Sequence, residues 1–141
     1  MRLPLLSAFA TMALALSACL AQGGDAITGT DWHLVGLEGA RAPARLSLTL
    51  SEDGKQASGQ APCNRWFAGN GAALPALALG GIGSTRMACG DLAVEQAYFQ
   101  ALAAMTRAEL DQGHLFLIGA EGRVMEFSAD PEDKTCLSCR D

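Results

Sequence analysis

The residues of this 141-residue chain best equipped for chemistry are its five cysteines: Cys19, Cys63, Cys89, Cys136 and Cys139. Cys19 closes an apolar N-terminal run, which leaves four for the rest of the chain. In an oxidising compartment an even count reads first as two disulfides, and four cysteines allow three connectivities. Cys63–Cys89 with Cys136–Cys139 is the favoured one, because it staples a loop-rich middle to the start of a helix. A loop of 27 residues closed in this way contributes roughly 3.5 kcal/mol on the chain-entropy account. The short Cys136–Cys139 loop contributes less, and could be strained and reducible. Two sharper chemistries compete. A four-cysteine zinc site would need two close-spaced pairs, and only Cys136-Leu137-Ser138-Cys139 is one. A thiol–disulfide oxidoreductase would place its CxxC at a helix N-terminus in a βαβ setting, whereas this one follows a polar tail and ends at the third-last residue. Elsewhere no catalytic set assembles. His33 and His114 fall in strand patterns, read as outward-facing and without a metalloprotease or serine-hydrolase motif. The acids are scattered, and Glu132-Asp133 reads as a solvated terminus. No enzyme activity, metal or cofactor is expected.

The compartment is written at the N-terminus. Met1-Arg2 precedes an almost wholly apolar Leu3–Leu16, then the small residues Ser17 and Ala18, which is the pattern of a secretory signal. Leu16-Ser17-Ala18-Cys19 resembles the bacterial lipobox, which implies that Cys19 is acylated and becomes the mature N-terminus. Two or more acyl chains hold a protein stably at a membrane, at about 0.8 kcal/mol per buried CH₂. By the same resemblance, Leu20 in place of an aspartate permits sorting to the outer membrane, periplasmic face. Residues 21–30, with Gly23, Gly24 and Gly29, read as a flexible linker. The expected organisation is a signal over 1–18, lipidated cysteine and linker over 19–30, a domain over 31–128, and a polar CxxC tail over 129–141.

Composition agrees with one small globular domain. The chain is 50% hydrophobic and 18% charged, which excludes disorder. Its net charge of −5 becomes −6 once Arg2 leaves with the signal. An acidic domain without a basic cluster argues against nucleic acid. A monomer is expected, touching the membrane through its acyl chains and binding an envelope protein or a lipid.

Several elements are legible by period. Asp31–Leu37 reads as a strand with Trp32 and Leu34 on one face. Arg45–Leu50 alternates leucine and polar residues, and Glu52-Asp53-Gly54-Lys55 turns the chain into a returning arm, Gln56–Gln60. Leu74–Ile82 reads as a short or bulged strand. Asp91–Arg107 reads as the helix, since Val94, Ala97, Tyr98, Ala101, Leu102 and Met105 share one face, with Asp91 as N-cap and Glu95 near the positive end of the dipole. His114–Ile118 and Arg123–Phe127 flank Gly119–Gly122 as a final hairpin. This order predicts an α+β fold: a small, mainly antiparallel curved sheet packed on one helix.

Two segments carry more than pattern. Ser58-Gly59-Gln60-Ala61-Pro62-Cys63-Asn64-Arg65-Trp66-Phe67-Ala68-Gly69 resembles the "SG…CNR(F/W)…G" motif of the META domain family, which includes HslJ-like bacterial lipoproteins. Ser84-Thr85-Arg86-Met87-Ala88-Cys89 is similar to its "TRMAC" motif, and Glu95, Phe99 and Leu102 match its helix. The resemblance spans about Thr30 to Phe127. Pro62 and the Cys136/Cys139 tail depart from the pattern, so the tail inherits no role. The resemblance implies an antiparallel sheet curved around a helix, similar to pilotin lipoproteins, and a link to heat shock, envelope stress and novobiocin tolerance. It implies neither catalytic residues nor a cofactor. A pilotin-like chaperone for a secretion component is the rival reading, with a redox protein using the CxxC behind it. The motif residues themselves are Cys63, Asn64, Arg65, Thr85, Arg86, Met87 and Cys89. Arg65 and Arg86, brought together by a disulfide, are expected to cap carbonyls or to pair with Asp91 or Glu95; the alternative is an anion-recognition spot. Trp66 and Phe67 are expected to pack in the core or at an edge.

Overall fold

The computed structural model describes residues 27–43 and 46–140. The signal, Cys19 and most of the linker therefore lie outside the described residues, as does Arg45.

Nine strands and one helix make the domain: β1 (Asp31–Leu37), β2 (Ala40–Arg41), β3 (Ser47–Leu50), β4 (Gln56–Gln60), β5 (Arg65–Asn70), β6 (Leu79–Ser84), α1 (Leu92–Ala103), β7 (Met105–Asp111), β8 (His114–Gly119) and β9 (Val124–Ser128). The strands form one unclosed sheet in the order β6-β5-β4-β3-β1-β9-β8-β7, with the short β2 on β1. Every strand pair is antiparallel. The two ends of the sheet approach each other at an isolated bridge between Ala76 and Arg107. There Leu77 N–H donates to Thr106 O at 2.8 Å and Ala108 N–H to Pro75 O at 2.8 Å. The expected α+β architecture is thus the observed one.

One face of the sheet packs on α1. Leu46, Leu48 and Leu50 point inward as their alternation requires, against Trp66, Tyr98, Leu102, Leu117 and Phe127. Ser47 O sits at the centre, accepting from the Trp66 indole at 3.1 Å and the Tyr98 hydroxyl at 3.1 Å. Only glycine fits beside it at position 59, since a Cβ there would strike Ser47 O and the Trp66 indole nitrogen. Burial pushes the Tyr98 hydroxyl far above the ordinary tyrosine range.

Several expectations need correction. The helix ends at Ala103, and Met105–Asp111 is a strand. Met105 is fully buried as its spacing suggested, but it reaches the core from a strand with an irregular register at Met105/Arg107. Pairing with β8 satisfies the backbone here, and Thr106 is β-branched, so the weak helical continuation loses. The middle of the chain is also less loop-like than expected, because Arg65–Asn70 is a strand with a regular exposed/buried alternation. On the helix, Glu95 is buried, whereas Ala97 is exposed. Asp91 holds the N-cap position without a side-chain cap bond.

The remaining correction concerns β9, which is buried on both faces. Met125 and Phe127 enter the core, while Glu126 and Ser128 point the other way and are still buried. What covers them is the segment 130–140, which folds back over the outer face of β1, β9 and β8. It is held by Arg140 N–H on Gly39 O at 2.9 Å and by Arg41 Nη1 on Lys134 O at 2.7 Å.

Candidate functional site

The motif residues converge, and most of them are consumed by structure. Asn64 is 3% exposed and uses its whole amide. Its Nδ2 donates to Glu95 Oε1 at 2.7 Å and to Met87 O at 3.3 Å. Its Oδ1 accepts from Met87 N–H at 2.7 Å and from the Thr85 hydroxyl at 2.9 Å. Glu95 Oε2 accepts the backbone N–H of Cys63 at 3.1 Å and of Asn64 at 3.0 Å. Thr85 is tied to Arg65 through both its hydroxyl and its backbone. Cys63 and Cys89 are disulfide-bonded, with Cα atoms 5.7 Å apart. The buried carboxylate thus clamps the loop before β5 to the helix, and the amide clamps it to the segment after β6. Every polar group has a partner, which is the condition for a stabilising buried network.

The same arrangement frees its two cations. Neither Arg65 nor Arg86 forms a side-chain hydrogen bond or ion pair with a described residue, so the expected pairing with Asp91 or Glu95 is not what occurs. Glu95 is already engaged by Asn64 and Cys63. Trp66 is core, but Phe67 points outward, 62% exposed, with its ring over Gly83. Met87 is 65% exposed and Leu92 39%. An open groove of about 360 Å³ runs beside them, lined in part by Arg86, Met87, Leu92 and Phe99.

A second polar cluster lies under the tail. Glu126 is fully buried, and its carboxylate accepts the N–H of Leu137 at 2.8 Å and of Ser138 at 2.7 Å. Its Oε2 is 3.5 Å from Cys136 Sγ. His114 is 7% exposed, not outward in solvent as its strand pattern suggested. Its Nδ1 lies 2.7 Å from Glu126 Oε1, a close ion contact without the alignment of a hydrogen bond, and its Nε2 lies 3.3 Å from Asp133 Oδ2. Asp133 is therefore half-buried against a buried imidazole and not part of a solvated terminus. Burial pushes the Glu126 carboxyl up, but the Leu137 and Ser138 hydrogen bonds and the charge of His114 outweigh it and hold the group below its ordinary value. Hydrogen bonds from Thr135 lower Asp133 in the same direction. Cys136 and Cys139 form a disulfide with Cα atoms 5.4 Å apart, so all four described cysteines are paired as the favoured connectivity has it. The loop rests on Gly36 of β1, where a Cβ would come within 2.6 Å of Cys136 Sγ.

Residues 25–132 match the META domain family. The chain belongs to that family. The solved structures agree on the fold. An NMR structure of a protein from Burkholderia xenovorans aligns with 26% identity and a TM-score of 0.59, over 91% of this chain and 97% of the other. A crystal structure of a DUF4847 family protein from Bacteroides vulgatus aligns with 12% identity and a TM-score of 0.60, over 76% of this chain and 96% of the other, and speaks to the fold alone. No curated protein matches.

The META match ends before Cys136. It contains Asn64, Glu95 and the Cys63–Cys89 bridge, and it contains His114 and Glu126, but not the loop that buries Glu126. Sequence reasoning found the four cysteines and missed the His114–Glu126–Asp133 cluster. One signal was present: Glu126 and Ser128 alternate with Met125 and Phe127, so something polar had to face them.

Proposed function

We propose that this META domain protein is a lipid-anchored lipoprotein of the outer membrane, held through Cys19, and that its META domain acts by binding and not by catalysis. The observations that carry this reading are two cations without a side-chain partner among the described residues, Arg65 and Arg86, and the groove in which Arg86 stands with the exposed apolar side chains Met87 and Leu92. A face of that kind suits an anionic amphiphile, with phosphate on the guanidinium groups and acyl chain on the apolar ones. The tether favours the same occupant. Residues 20–26 span at most about 25 Å when extended, so the domain works close to a lipid surface. The role in the cell that follows is envelope homeostasis under stress, including tolerance of agents such as novobiocin.

Two experiments test the reading. Cys19→Ala should release the protein from the outer-membrane fraction into the soluble periplasm; persistent integral attachment refutes the anchor. In the anchored chain, Arg65→Ser with Arg86→Ser should leave the thermal midpoint nearly unchanged and abolish complementation of a novobiocin-sensitive deletion strain. Full complementation by that variant would mean that the cationic face is not the working surface.

A further inference from the structure

The tail cluster supports a chemistry that the META domain face does not. Three features meet at one point. The Cys136–Cys139 disulfide is half-buried and surface-accessible, with Leu137 between its cysteines 44% exposed. A fully buried carboxylate, Glu126, stands 3.5 Å from one of its two sulfurs. A buried imidazole, His114, stands 2.7 Å from that carboxylate and 3.3 Å from a second acid, Asp133. Glu126 pins the tail through Leu137 and Ser138, but a disulfide whose only task is to close the tail needs neither a carboxylate beside its sulfur nor an imidazole behind that carboxylate.

We propose that Cys136–Cys139 is a thiol–disulfide exchange site that takes two electrons from a protein dithiol, with Cys139 the sulfur attacked and Cys136 the sulfur released beside Glu126. In the first step a client thiolate bonds to Cys139 Sγ and the Cys136–Cys139 bond breaks. The electron pair leaves on Cys136 Sγ, which takes a proton from water and becomes a thiol facing Glu126 Oε2. In the second step the client's other thiolate attacks the client sulfur of the mixed disulfide. Cys139 departs as a thiolate and is protonated by water. The client loses two electrons and two protons and gains a disulfide; the CxxC gains both.

The order of attack follows from charge. The Glu126 carboxylate opposes the approach of a thiolate at Cys136 and opposes a thiolate resting there, so reaction at that sulfur is coupled to a proton. Cys139 lies farther from Glu126 in sequence and contact, and is followed by the cation Arg140. The other groups around the loop do not reverse this. On β1, Gly36 carries no charge and His33 turns to Asp31 at 3.7 Å. In the β1–β2 turn, Glu38 is bound to Arg123 at 2.6 Å.

The test uses the full chain with one tail cysteine removed at a time and glutathione disulfide as the probe, read by site-resolved mass spectrometry. The Cys139 thiol of Cys136→Ser should form the mixed disulfide about threefold faster than the Cys136 thiol of Cys139→Ser, the factor expected for a pKa difference of about one unit once the greater nucleophilicity of the more basic thiolate is counted. Adding Glu126→Gln should bring the two rates together. Equal rates in the parent pair, or a preference that survives Glu126→Gln, overturns the proposal. A second readout does not depend on altering Glu126: in Cys139→Ser, the Cys136 thiol should ionise above the ordinary thiol value of about 8.5. Ionisation at or below that value also overturns it.

Discussion

The molecule builds the same local device twice. In each, a buried glutamate accepts two backbone N–H groups of a loop that carries a disulfide cysteine: Glu95 holds Cys63 and Asn64, and Glu126 holds Leu137 and Ser138. The difference lies in what completes each shell. Around Glu95 the remaining partner is the Asn64 amide, which neither gains nor loses a proton. Around Glu126 it is an imidazole and a sulfur. Two clamps of like geometry therefore differ in chemistry. The first is a fixed joint within the META domain, whereas the second places titratable groups next to a bond that can be reduced.

Breaking the first clamp should do the most damage. Asn64→Ala removes four side-chain hydrogen bonds from a buried site and strips a donor from Glu95, so a loss of about 3–5 kcal/mol in urea unfolding is expected. A loss below about 1 kcal/mol would mean that the network is dispensable. Next comes the pair of disulfides. Cys63→Ser should cost about 3.5 kcal/mol against roughly 2 kcal/mol for Cys136→Ser, because the sequence separations are 26 and 3. Similar losses for the two would show that the tail contributes more than its loop length implies. Gly36→Ala should cost about 1–2 kcal/mol by pressing a Cβ against Cys136. Limited proteolysis should then cut the tail while the core remains intact.

The smallest effect is one of pH. Glu126 ionises below its unfolded value in the native protein, so its contribution is complete above about pH 4.3 and is lost as the pH falls through the lowered native value. Stability should therefore drop on acidification below that point, and Glu126→Gln should flatten this acid limb. An unchanged acid limb would mean that the carboxylate is not ionised in the folded state.

How far the sequence reached follows from these same residues. The leucines of β3, the final hairpin and the helix were legible because one face of each meets the core, and a single face produces a period. The TRMAC and CNRW segments were legible as family motifs, but their internal wiring was not. Nothing in the spacing of Asn64 and Glu95 says that an amide donates a hydrogen bond to a carboxylate 31 residues away. β7 was missed because Ala103 and Ala104 extend the helical pattern into it. His114 was misread, and Glu126 passed over, for a different reason. A polar residue on the outer face of a strand looks solvated until the chain returns to cover it, and that return depends on tertiary contacts of the tail with Gly36, Gly39 and Arg41.

The contrast between the two clamps can be tested in one titration of the folded, untreated protein with a small dithiol at neutral pH, followed by alkylation and peptide mass spectrometry. A thiol attacking the exposed Cys89 would have to eject the sulfur of Cys63, which is buried in the META domain. A thiol attacking Cys139 ejects Cys136 beside the His114–Glu126 pair. The expected result is that Cys136 and Cys139 are alkylated first, while Cys63 and Cys89 remain bonded until the domain unfolds. Reduction of Cys63–Cys89 first, or of both bridges together, would contradict the account.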